Sequence, residues 1–289
     1  MKLRATIAWS FPVTGLILMF LYGRDWQPWQ RLLASTLGLL YLLKITTLLQ
    51  SPKGFRSFSA AGLLLFMSVW PGMDASAFLL RQGRDKTAYR LLSKGISRMV
   101  LGFVFIFLLA FNIHHLSTAM IGWLGIGTLL LTIHLGYSDV LTALLRLNGW
   151  RVHRLFDSPL NSNSLRDFWG KRWNLAFVEM DHILFFQPLK NKLGVTTALV
   201  ITFIISGLLH EMGISYPVWS GWGLPLLYFV LQAVFIILES KLFKNPSSIL
   251  SRITVFVCIV LPLPLLFHEP FRNRLIVPLF QSLNVMLTS

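Results

Sequence analysis

"FIISGLLHEMGISYP", residues 203–217, begins as an uninterrupted apolar run and then sets His210 beside Glu211. Wound as a helix, it places Phe203, Ser206, Gly207, His210 and Ile214 on one face. A buried titratable pair in such a run is costly, and intramembrane ionisable groups mark functional sites by default. The alternative is a histidine that only hydrogen-bonds a neighbouring helix.

The rest of the chain is of the same apolar kind. It is 55% hydrophobic and 13% charged, with a mean hydropathy of +0.65, against about 25% charged residues in a soluble domain. Apolar runs near the roughly 20 residues that cross a bilayer lie at 5–22, 32–49, 99–113, 119–141, 193–214, 222–240 and 253–268. The expected fold is all-α, a polytopic membrane bundle of about seven to nine spans plus a cytoplasmic interfacial amphipathic helix. It forms one membrane-embedded domain over 1–289, with N-terminal spans in 1–145 and the chemistry-bearing segment in 146–289. The run at 58–80 is interrupted by Pro71, Gly72 and Asp74 and reads as re-entrant or interfacial. The N-terminus resembles a signal peptide but lacks a small-residue cleavage site before Arg24, so it reads as a retained first span.

The formal charge of +15 would suggest nucleic acid in a soluble protein. In a membrane chain it fits the cytoplasmic bias of Lys and Arg, and no nucleic-acid partner is expected. With a cytoplasmic N-terminus, the cytoplasmic segments 1–4, 44–98, 146–192 and 241–252 hold 22 of the 26 basic residues. An integral protein of the cytoplasmic (inner) membrane follows. The single cysteine, Cys258, excludes an intrachain disulfide and a cysteine metal site. "HEMGI" has Ile214 where a zinc-protease motif needs a second histidine, so no metal is expected.

Segment 146–192 is basic and less apolar. Ser164 reads as an N-cap, with Asp167 three residues on, before a helix from 165 to about 185. Trp169, Trp173, Phe177, Met180 and Leu184 make its apolar face; Asp167, Lys171, Asn174 and Asp181 make another. Asn174 can donate and accept without titrating. Asp181 and His182 read as either an acid/base dyad or a solvated interfacial pair. His114 and His115 fall in an outer loop, and lone His134 reads as structural.

"SLRDFWGKRWN", followed some thirty residues later by "ISGLLHE", resembles the membrane-bound O-acyltransferase superfamily, closest to its wax-synthase-like branch. "GWGLPLLYFVLQAV" and "LFHEPFRNRLIVPLF" extend the resemblance over roughly 160 to 280; the first 150 residues share only their apolar spans. Many members of that family have more spans than this chain offers. The resemblance implies a catalytic histidine at His210 and a second position, Asn, Asp or His in the family, at Asn174. It implies transfer of an acyl group from acyl-CoA, a co-substrate rather than a cofactor, to a long-chain alcohol or another lipid or sugar hydroxyl. His210 would act as general base, since burial favours the uncharged imidazole, and Asn174 would position the thioester or its oxyanion. Glu211, Ser206, Trp173 and Asp181 stand as supporting residues, and Arg166, Lys171, Arg172, Lys190 and Lys192 as the acyl-CoA-binding set. Asn174 falls at the interface and His210 deep, about 25 Å along its helix, so their cooperation requires a tunnel or a helix break. The competing reading is a proton-coupled membrane transporter using His210, Glu211 and Asp139. The oligomeric state is open.

Overall fold

A computed structural model of the chain describes residues 2–50, 57–242 and 249–289, and every regular element among them is a helix. The basic stretches 51–56 and 243–248, counted above among cytoplasmic segments, lie outside the described residues. Among the described residues, six helices are long and apolar enough to cross a membrane: Pro28–Gln50, Ala88–Phe111, Thr118–Leu147, Val195–Val218, Leu224–Lys241 and Ile249–Leu266. A shorter apolar stretch, Ile7–Tyr22, ends the first helix. The span expected at 99–113 starts eleven residues earlier, because Arg90, Lys94 and Arg98 share a polar face at helical spacing that a search for apolar runs passes over.

The chain divides into two compact units, residues 1–80 with 157–267, and 81–156 with 268–289.

In the first unit the helices Val195–Val218 and Leu224–Leu242 cross closely. A Cβ on Gly207 would lie 2.9 Å from Leu226 Cα, so Gly207 serves the crossing and does not open space before His210. Arg31 is buried and donates to the carbonyls of Pro217 (2.8 Å), Trp26 (2.5 Å) and Arg24 (3.1 Å), which tie the 23–31 turn to the end of the His210 helix. The 58–80 run forms a nine-residue helix, Ala60–Ser68, and then irregular backbone that leads to a short turn, Ala75–Phe78. At 1.5 Å per residue that helix is about 14 Å, well short of the hydrocarbon. Fully buried Lys44 donates to the Phe66 and Trp70 carbonyls at its C-terminal end, with the ammonium 3.9 Å from the Phe66 ring centre. Glu179 accepts from the backbone N–H groups of Met73 and Asp74 at 2.9 and 3.0 Å.

In the second unit Gly95, Gly102 and Gly136 let Ala88–Phe111 lie against the 130–147 half of Thr118–Leu147. Asp139, 1% exposed, accepts from Arg98 at 2.5 Å and from both arms of Arg154 at 2.9 and 3.0 Å. His268 caps the short helix Glu269–Phe271, its Nδ1 accepting the Phe271 N–H. Burial, and then Arg272, holds the His268 imidazole below the ordinary histidine value.

Two outcomes follow from these contacts. Gly207→Ala should cost about 1–3 kcal/mol, read as a lower melting temperature in detergent. The unfolded chain protonates His268 more readily than the folded one, so this contribution to stability is complete above the ordinary value of 6.5 and is lost as pH falls below it. His268→Asn, which keeps a capping oxygen, should flatten melting temperature against pH in that range.

Candidate functional site

The segment after Ser164 is not one continuous helix. Ser164 caps it as expected, its Oγ accepting the Asp167 N–H at 2.9 Å. The backbone then widens into a π-helical turn, Phe168–Arg172, and breaks. Trp173 is extended and Asn174 is left-handed, with φ of 45°. A left-handed residue with a Cβ costs roughly 1–2 kcal/mol, and asparagine is among the few that tolerate it. The helix restarts at Leu175–Asp181, runs through a second π-turn, His182–Phe186, and ends as Gln187–Leu193. The break defeats the two-faced helix read from the sequence: Asn174 joins the tryptophans it was expected to oppose.

Trp169, Trp173, Asn174, Phe177 and Asp181 from this broken segment form one wall of a cavity of about 290 Å³. Leu199, Thr202, Phe203, Ser206 and His210 form the facing wall, and Phe229 and Ile236 complete it. Arg166, Gly170 and His182, all exposed, stand at its mouth. The helix break thus supplies what cooperation between positions 174 and 210 requires, since both residues line one volume.

His210 is held firmly. Its ring lies between Phe229 (centroids 4.2 Å) and Phe177 (5.1 Å). Nδ1 is 2.7 Å from the Ser206 carbonyl oxygen. A carbonyl can only accept, so Nδ1 carries the hydrogen and Nε2 of the neutral ring keeps its lone pair. Neither Nε2 nor the Asn174 side-chain amide has a hydrogen-bond partner among the described residues. Ser206 Oγ donates to Asp181 Oδ2 at 2.5 Å. Burial pushes the Asp181 carboxyl up to about 7. His182 lies at the mouth, stacked on Phe186, and does not pair with Asp181.

The other candidates divide. Trp173 stacks on Phe168 at 5.5 Å as part of the wall. Glu211 turns away from the cavity: its Oε1 accepts the N–H groups of Gly223 and Leu226 at 2.9 and 3.0 Å, at the start of Leu224–Leu242. Of the five basic residues, Arg166 alone lines the cavity. Arg172 is committed to Asp167 at 2.6 Å and to the Asp157 carbonyl. Lys171, Lys190 and Lys192 are exposed. Asp139, of the carrier reading, is consumed by its two arginines in the second unit.

Two residues escaped the sequence reading. Phe229 clamps His210, and fully buried Gln232 accepts from Trp169 Nε1 at 3.1 Å while donating to the Cys258 carbonyl. A lone glutamine in an apolar run was the available signal for the second; nothing distinguishes Phe229 from its apolar neighbours. Among the described residues no three His, Cys, Asp or Glu side chains gather as a metal site.

A sequence profile described as "Membrane bound O-acyl transferase family" matches residues 152–231, the stretch that builds both walls. Over that segment the chain is similar to the membrane-bound O-acyltransferase superfamily. The chain is 31% identical over 104 residues to a long-chain-alcohol O-fatty-acyltransferase of Simmondsia chinensis, covering 32% of this chain and 30% of that protein. It is 25% identical over 223 residues to the probable long-chain-alcohol O-fatty-acyltransferase 2 of Arabidopsis thaliana, covering 68% and 64%. It is 32% identical over 91 residues to the probable alginate O-acetylase AlgI of Pseudomonas fluorescens, covering 30% and 18%. The chain therefore spans less than two thirds of the length of each of these relatives. The six long apolar helices and the profile match together support an integral membrane protein.

Glu211→Ala should lower stability by about 1–3 kcal/mol, since two helix-terminal N–H groups lose their acceptor, whereas Glu211→Gln keeps that oxygen and should melt near wild type.

Proposed function

We propose that the protein is an acyl-CoA-dependent O-acyltransferase that esterifies a hydroxyl of a membrane-soluble acceptor, a long-chain alcohol or another lipid. The observation that carries this reading is the unpartnered Nε2 of His210 in the same cavity as the unpartnered Asn174 amide. The names of the Simmondsia and Arabidopsis relatives supply the reaction type.

An alcohol attacks a thioester poorly unless its proton is removed as the new bond forms. His210 Nε2 takes that proton while the acceptor oxygen bonds to the thioester carbonyl carbon. The Asn174 N–H donates to the developing oxyanion, a contact worth about 3 kcal/mol in comparable sites. The tetrahedral intermediate then collapses, the carbon–sulfur bond breaks, and the imidazolium returns the proton to the thiolate. Ester and free CoA leave. The Ser206 carbonyl steadies the imidazolium through Nδ1–H, and the Phe177 and Phe229 rings keep bulk water from the ring.

The donor's phosphates remain in water, so the acyl end enters at the Arg166 mouth. Exposed Lys171, Lys190 and Lys192 would add cationic surface for the donor on the cytoplasmic side, with the N-terminus on that side as well.

Full-length protein in proteoliposomes, given labelled acyl-CoA and a long-chain alcohol, should form the ester. His210→Ala should lower the rate by about 10²–10⁴-fold and Asn174→Ala by about 10²-fold, with melting temperatures held. Ester formation at the wild-type rate by folded His210→Ala would overturn the reading.

A further inference from the structure

Two polar atoms on the cavity walls are buried without a hydrogen-bond partner among the described residues: Asp181 Oδ1 and Thr202 Oγ1. For Thr202 this departs from the rest of the molecule. The other buried threonines, Thr46, Thr47, Thr128, Thr132 and Thr142, each donate to a carbonyl three or four residues back in their own helix. That is the ordinary way to satisfy a hydroxyl in an apolar helix. Thr202 is 7% exposed and makes no such bond.

The two atoms also belong to one neighbourhood. Thr202 and Ser206 stand one turn apart on the His210 helix, about 6 Å along its axis. Asp181 is fixed to Ser206 through Oδ2, which leaves Oδ1 over. His210 lies one further turn along the same face. The cavity wall therefore runs from the unpartnered hydroxyl, past the unpartnered carboxyl oxygen, to the free Nε2. Leaving such groups unpaired in a buried wall is costly. A bound molecule that supplies the missing partners recovers that cost.

Resting on the acyl-transfer reading above, we propose that Asp181 and Thr202 form a polar notch for a second hydroxyl of the acceptor, and that the natural acceptor is a diol or polyol lipid rather than a simple fatty alcohol. The reacting hydroxyl lies at His210 and the neighbouring one sits between Asp181 Oδ1 and Thr202 Oγ1. A hydroxyl both donates and accepts, so it satisfies the notch whether Asp181 is ionised or protonated. A monoalcohol of the same chain length leaves the notch unfilled.

The test uses full-length protein in lipid nanodiscs with two probes of equal chain length, dodecanol and dodecane-1,2-diol. Binding is read as the ligand-induced rise in melting temperature, and turnover as ester formed from acyl-CoA. The diol should be preferred by about tenfold, the size of one or two recovered hydrogen bonds. Thr202→Val keeps the side-chain shape and should remove most of that preference, read as the ratio of diol to dodecanol turnover, with little change in the melting temperature of the free protein. Asp181→Ala serves as a second variant and should bring the two probes level. Comparing variant with wild type cancels the different partitioning of the probes into lipid. Equal preference in wild type, or equal losses for both probes in Thr202→Val, would overturn the notch. Ester formation without diol preference would sink the notch alone. Diol-selective stabilisation without any ester would sink the acyl-transfer reading and leave the notch standing.

Discussion

One hydrogen bond governs the chemistry available to this cavity: Nδ1–H of His210 to the carbonyl oxygen of Ser206. It sets the tautomer, and the tautomer decides which nitrogen holds a lone pair. It also fixes the ring plane, which two phenylalanines then clamp. The bond is available because Ser206 spends its hydroxyl elsewhere, on Asp181, while its carbonyl keeps a second acceptor direction for the imidazole. Helix backbone, in other words, acts here as the orienting group that a carboxylate provides in a soluble hydrolase.

Five of the chain's charged side chains share one pattern. Arg31 and Lys44 bind carbonyls where helices end, and Glu179, Glu211 and Glu239 bind N–H groups where segments begin or turn. Irregular backbone inside a membrane protein must be satisfied from within, because lipid offers no partners. The molecule meets part of that demand with long polar side chains that reach those backbone groups. Glu211, adjacent to His210 in sequence, thus works for the fold while its neighbour faces the cavity. Adjacent helical residues point about 100° apart, and that angle separates their duties.

Much of this was legible from the residues. Apolar runs located the long helices, and the interruption by Pro71, Gly72 and Asp74 follows the short helix that ends at Ser68. His210 and Asn174 stood out by chemistry and by motif. The break at Trp173–Asn174 did not, because helical periodicity continues across it and asparagine is an ordinary residue on a polar face. The amphipathic start of Ala88–Phe111 was hidden by its own basic face. The commitment of Arg172 to Asp167 and of Asp139 to Arg98 and Arg154 depends on three-dimensional proximity, which spacing along the chain does not encode. The unpartnered oxygens of Asp181 and Thr202 are likewise a property of the assembled walls.

The positive φ at position 174 narrows what natural drift can do there. Outside glycine, the residues most at ease in that backbone region are asparagine, aspartate and histidine. Those are the same three that the superfamily resemblance allows at this point. The alphabet at 174 is therefore filtered by backbone sterics before chemistry selects within it. Glycine would keep the bend and forfeit the polar head, so a lineage wandering along this position has few steps that preserve both.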